Sequence, residues 1–179
     1  MAFLSDPTVK SRVASLVSEG DRVQFADPRF RRELGSWVHS RRSASRDGMS
    51  GSNFGMPDVL SATGGLVIRT FDIGEGVGAK DQEISAGSPA LIVVATDVDD
   101  VRHWLAAGVA HVQMLLQVTD AGMTAAYMNQ PIEVDELRPA LKNLAGLRGW
   151  PQLLLRIGHG PVVQPAVRRP LEEVLLSAL

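Results

Sequence analysis

Residues 127–141 read YMNQPIEVDELRPAL, and they place a polar joint holding a proline and an acid between an apolar run and a helical pattern. Within it, Pro131, Ile132, Glu133 and Val134 are the first candidates for a functional role. A plain strand-to-helix loop, with Glu133 or Asp135 capping the following helix, is the competing reading. Arg168 and Arg169 are the second candidates. Guanidinium forks suit phosphate oxygens better than lysine does. Here the competing reading is a solvated basic pair answered by Glu172 and Glu173 at helical spacing. The histidines at 39, 103, 111 and 159 do not form a metal pair: His103 and His111 lie eight apart, not three or four. His111, on a small apolar helix face, reads as a satisfied interface side chain. The glycines of GEGVG (Gly74, Gly76, Gly78) follow no good strand and open no clear helix, which argues against a nucleotide loop. Residues 46–49 (RDGM) read equally as a covering loop or an ordinary Asp-Gly turn. No residue presents itself as catalytic, and no metal is expected.

These residues need elements to position them. Asp6-Pro7 and Asp27-Pro28 are two helix starts, each an N-cap followed by proline at the first helical position. Gly20-Asp21 ends or interrupts the first helix. Residues 40–88 are rich in Ser, Gly, Arg and Asp and read as an irregular loop or lid, with a short helical turn at 57–62 and an extended piece at 66–71. ALIVVA (residues 90–95) is a continuous apolar run, expected to be a strand buried on both faces. Asp97 to Asp100 open a long helix over about 98–119, with acids near its positive end. Its small residues Ala106, Ala107, Gly108 and Ala110 leave a thin surface. The apolar stretch 104–118 is interrupted by His111, Gln113 and Gln117, so it suits a buried helix and is too short for a bilayer, which needs about 20 apolar residues. Gly122 ends the helix. Residues 123–128 and 152–157 are two more strands, with a short helix at 135–144 between them.

The order SPALIVVATD, long helix, AGMTAAYMNQPIEVDEL, GWPQLLLRIGHGP, VRRPLEEVL resembles the nitroreductase family of flavin proteins. With QFADPRFRRELGSWV and SRDGMSG before it, the chain resembles more closely the C-terminal half of the Acg-type FMN-binding nitroreductases, in which two similar halves share one chain. The resemblance runs over about residues 6–174. It implies an α+β fold: a small, mostly antiparallel sheet packed by helices, including a long central one. It implies one domain over residues 1–179, the C-terminal half of a two-half protein, with a tail at 166–179 extending to a partner. The family's arginine-rich first motif and its Asn-x-Gln-Pro-Trp stretch have no counterpart here. Residues 39–46 (HSRRSASR) match the first only superficially.

The resemblance also implies an activity. FMN would accept hydride at N5 from NAD(P)H and pass it to a nitro or quinone-type acceptor, with the protein supplying position and hydrogen bonds. Pro131, Ile132 and Glu133 match the family's Pro-Ile-Glu-Gly loop, whose backbone N–H groups point at the flavin ring. Val134 departs from it, and a glycine of positive φ could not become valine cheaply. Arg168 and Arg169 match a basic pair on the FMN phosphate. The alternatives are a flavin-storing protein with little turnover and a half that pairs without flavin. The expected partner is a second copy or an N-terminal nitroreductase half.

The totals agree with a soluble globular class. Of 179 residues, 45% are hydrophobic and 21% charged. A net charge of -2 gives no general pull toward nucleic acid or membrane. The absence of cysteine removes disulfides and thiolate chemistry and fits a cytoplasmic setting. The first residues, MAFLSDPTVK, lack the pattern of a signal peptide.

Overall fold

The structure, a computed structural model, describes residues 1–39, 46–50, 58–160 and 168–175. The chain divides into two compact units: Met1–Ala26 with Gly74–Pro161, and Asp27–Ile73 with Val162–Leu179.

The first unit is α+β. Strand β1 (Ala2–Leu4) leads into helix α1 (Pro7–Ala26). The Asp6 carboxylate accepts from Val9 N–H at 2.9 Å and so satisfies one orphan amide of the first turn. Gly20-Asp21 does not end this helix, which continues to Ala26.

The second unit starts at Asp27, whose side chain accepts from Arg29 N–H and caps α2 (Pro28–Trp37). Two-residue strands β2 (Val38–His39) and β3 (Met49–Ser50) pair in parallel. Gly48 between them has a φ of 79°, as a tight Asp-Gly turn requires. Helix α3 (Asp58–Thr70) then crosses α2 where Gly35 and Gly65 face each other: a Cβ on either would stand 2.7 Å from the other's carbonyl oxygen.

Back in the first unit, α4 (Gly74–Gly87) lies along α1. Together α3 and α4 occupy most of the segment that its composition marks as irregular. Residues 40–45 and 51–57, which include Pro57 and most of the 39–46 motif, lie outside the described residues. Gly74 does open a helix, contrary to the sequence reading of GEGVG, but a helix precedes it rather than a strand. Of these glycines, Gly78 has a packing role. A Cβ at Gly78 would stand 2.8 Å from the Ser18 carbonyl oxygen, so glycine lets α4 close on α1.

The remaining elements are β4 (Ala90–Thr96), α5 (Val101–Asp120), β5 (Thr124–Tyr127), α6 (Gln130–Glu133), α7 (Arg138–Leu144) and β6 (Trp150–Gly158); α8 (Leu171–Val174) belongs to the second unit. The sheet order is β1-β4-β6-β5, antiparallel throughout. Side chains alternate across it. Leu91, Val93 and Leu154 join Val13 and Val17 of α1 and Leu141 of α7 on one face. Ile92, Val94 and Leu155 join Ala107, Met114 and Val118 of α5 on the other.

Only one face of α5 is buried. Val101, Leu105, Val109, Val112 and Leu116 are each more than half exposed, which corrects the reading of residues 104–118 as a buried helix. Among the described residues, no helix is long and apolar enough to cross a membrane.

Candidate functional site

The first candidates form one turn. After β5, Asn129 bridges back to the sheet: its Oδ1 accepts from Leu154 N–H at 2.9 Å, while Met128 N–H donates to Leu154 O. The chain then closes into α6. The Asn129 carbonyl accepts from Ile132 N–H at 2.7 Å and from Glu133 N–H at 3.0 Å. The Gln130 carbonyl accepts from Val134 N–H at 3.1 Å. Pro131 has no N–H to give. The backbone donors of this turn are therefore spent within it. Val134 has φ −99° and ψ 103°, ordinary extended backbone that a β-branched residue adopts freely. The glycine-to-valine departure thus costs nothing in this conformation.

Side chains sort by depth. Pro131 and Val134 are buried, Ile132 packs at the edge of the core, and Glu133 is exposed. Neither Glu133 nor Asp135 caps α7, whose N-cap position is Leu137 with no side-chain bond. Instead the Glu133 carboxylate accepts from Gln24 Nε2 at 2.7 Å, tying the turn to α1.

A second tie lies deeper, and sequence reasoning missed it. Gln130 Nε2 donates to Asp21 Oδ1 at 3.1 Å and to Asp81 Oδ2 at 3.2 Å, so one amide group spans acids from α1 and α4. Gln130 fits there because residue 20 is glycine: a Cβ at Gly20 would meet Gln130 Cβ at 2.6 Å. Asp21 is 3% exposed. Burial, with smaller contributions from the Asp81 and Glu133 charges, pushes its pKa up to about 7 against the hydrogen bond from Gln130. Burial also raises Asp81, but the Lys80 and Arg156 charges oppose it. One signal for this cluster was in the sequence. Asp21 continues the buried stripe of Val13 and Val17 at four-residue spacing.

Arg168 and Arg169 are exposed and belong to the second unit. On α5, His111 Nε2 lies 2.7 Å from Tyr127 Oη, burial lowers the histidine's pKa, and Nδ1 is buried without a partner. At the start of α5, Asp99 accepts from Arg138 Nη1 at 2.8 Å, Gln152 Nε2 at 3.0 Å and Trp104 Nε1 at 2.7 Å. These bonds, Arg138's first, hold its carboxyl well below the usual carboxylate range.

No family model matches the chain. It is similar to two Mycobacterium tuberculosis proteins named "Putative NAD(P)H nitroreductase", Rv3131 of strain H37Rv and MT3217 of strain CDC 1551. Each is 28% identical over 179 aligned residues, covering 97% of this chain and 50% of the relative. It is also similar to the "Uncharacterized protein Rv3127" of strain H37Rv, 33% identical over 97 residues, covering 52% of this chain and 28% of that protein. The chain thus spans about half the length of the nitroreductase-named relatives it matches.

A flavin ring in the arrangement that the family resemblance implies would draw hydrogen bonds from the backbone of residues 131–134. The N–H groups of Ile132, Glu133 and Val134 already have acceptors, so this turn does not fit that donor role as it stands.

Proposed function

We propose that this chain is one half of an NAD(P)H-dependent oxidoreductase of the nitroreductase type, acting on nitro or quinone-type acceptors. It meets a second copy of itself, or an N-terminal nitroreductase half, across the outer face of α5. The observation that carries this reading is the row Val101, Leu105, Val109, Val112 and Leu116, each 56% exposed or more. The steps of four, four, three and four residues keep the row on one side of the helix. A contiguous apolar row of this length on a water-facing helix marks an interaction site. The similarity to half of relatives twice as long supports the same reading.

FMN belongs, on this proposal, to the paired body. Arg168 and Arg169 are the residues of this chain suited to its phosphate. Within the first unit, Ile132 and Glu133, with Pro131 and Val134 behind them, are the side chains suited to a flavin ring. The hydrogen-bond donors to the ring would come from the companion, because those of residues 132–134 are spent.

The test is to measure the solution mass of the purified chain, alone and mixed with an N-terminal nitroreductase half, together with flavin absorbance. Pairing, flavin uptake only by the pair, and bleaching by NADPH with recovery on adding a nitroaromatic are expected. A pair that takes up flavin but does not turn over would replace the reductase reading with storage. A pair that never takes up FMN would leave an interaction half. A monomer that does not pair and still grips FMN tightly would overturn the shared-body proposal.

A further inference from the structure

The bonds around Gln130 leave two atoms over. Asp21 Oδ2 and Gln130 Oε1 are both buried and have no partner. A buried polar oxygen without a partner has lost its water and gained nothing in return. They belong to the same two side chains whose other atoms, Asp21 Oδ1 and Gln130 Nε2, already bond at 3.1 Å. A carboxylic acid and a primary amide make a reciprocal pair when the acid is protonated: N–H donates to one carboxyl oxygen, and the other carboxyl O–H donates to the amide oxygen. A carboxylate cannot close that ring, since both leftover atoms would then be acceptors.

We propose that Asp21 is a neutral acid in the folded chain, its Oδ2 hydroxyl donating to Gln130 Oε1, and that this acid–amide pair fastens the turn of residues 130–134 to α1. The second amide hydrogen goes to Asp81 Oδ2. The charges around the pair separate the two acids. From α4 come Asp81 and Lys80, from β6 Arg156, and from α6 Glu133. The two cations lower Asp81 against its burial, whereas the charges of Asp81 and Glu133 add to the burial that raises Asp21. Asp21 is thus a positioning residue that acts through Gln130. This inference does not depend on flavin or on pairing.

The test is a nuclear magnetic resonance titration of the Asp21 side-chain carboxyl in the full chain. It is read together with hydrogen exchange at the amides of residues 132–134, corrected for intrinsic rates. The Asp21 carboxyl is expected to stay protonated well above the ordinary aspartate range. Protection of the turn amides is expected to fall roughly tenfold or more between about pH 6 and pH 8. In Asp21→Asn an amide replaces the acid and keeps both bonds, so protection is expected to hold level across the same range. Titration of Asp21 near pH 4 in the wild-type chain would overturn the proposal, whether or not the variant folds. So would an Asp21→Asn chain that folds with its turn amides unprotected at about pH 6.

Discussion

At the scale of single residues, the protein keeps an acid where water does not reach. A carboxyl whose folded pKa of about 7 exceeds its unfolded value of 3.8 binds its proton more tightly in the native state. Its contribution to stability is fully present below pH 3.8 and is lost as pH rises through about 7. Asp99 runs the other way. Its depressed pKa gives a contribution present above the unfolded value and lost as pH falls through the folded one. Two predictions follow from these opposite signs. Asp21→Asn should be more stable than the wild type at about pH 8, by about 1–3 kcal/mol, with the advantage shrinking toward acid pH; urea melts at several pH values measure it. Asp99→Asn should destabilise at neutral pH by about 1–2 kcal/mol, discounted because the group is partly solvated, and should flatten the acid limb of the same melts.

At the scale of elements, α1 is shaped by what leans on it. Gly20 admits the Gln130 side chain and Gly78 brings α4 against Ser18. Alanine at position 20 gains about 1 kcal/mol of helix propensity. It also forces a methyl to 2.6 Å from Gln130 Cβ, and overpacking of this kind costs roughly 1–3 kcal/mol. We therefore expect Gly20→Ala to be neutral to destabilising by about 2 kcal/mol and to raise exchange at residues 130–134. A gain in stability with unchanged exchange would show that the turn yields easily.

Much of this scale was legible in the sequence. The strands at 90–96, 124–127 and 150–158, the caps at Asp6 and Asp27 and the long helix all announce themselves through periodicity or capping chemistry. Helix α4 did not, and of α3 only the turn at 57–62 was expected, its remainder at 66–71 being read as extended where the structure has helix to Thr70. DVLSATGGLVIRT and GEGVGAKDQEISAG contain the glycines and serines that favour loops in isolation. Their helices exist because those small residues permit close packing on α2 and α1, which is tertiary information. Strand β1, three residues long, carries too little pattern to stand out. The candidate turn was found from its own residues. The cluster beneath it was not, because residues 21, 81 and 130 meet only after α1, α4 and α6 have packed.

At the scale of the whole molecule, the pairing proposed across the outer face of α5 can be tested in solution. Its buried face already satisfies the sheet through Ala107, Met114 and Val118. Charges on the opposite face should therefore leave the fold intact. The double change Leu105→Glu with Val112→Glu is expected to abolish association, seen as a drop to monomer mass in light scattering. Melting should change by no more than about 1 kcal/mol beyond the loss of the partner. Unfolding of that variant, rather than dissociation, would mean that α5 uses this face within the chain.

The sheet order also sets how the chain must assemble itself. The central strand β4 takes residues 2–4 on one flank and residues 150–158 on the other, and neither neighbour is close in sequence. Such long loops must close before the pairing rewards them, so this sheet should form in milliseconds to seconds rather than microseconds. During synthesis, the apolar ribbon ALIVVAT must wait for some sixty more residues before its second neighbour leaves the ribosome. Aggregation of the incomplete chain is therefore expected to begin at this ribbon.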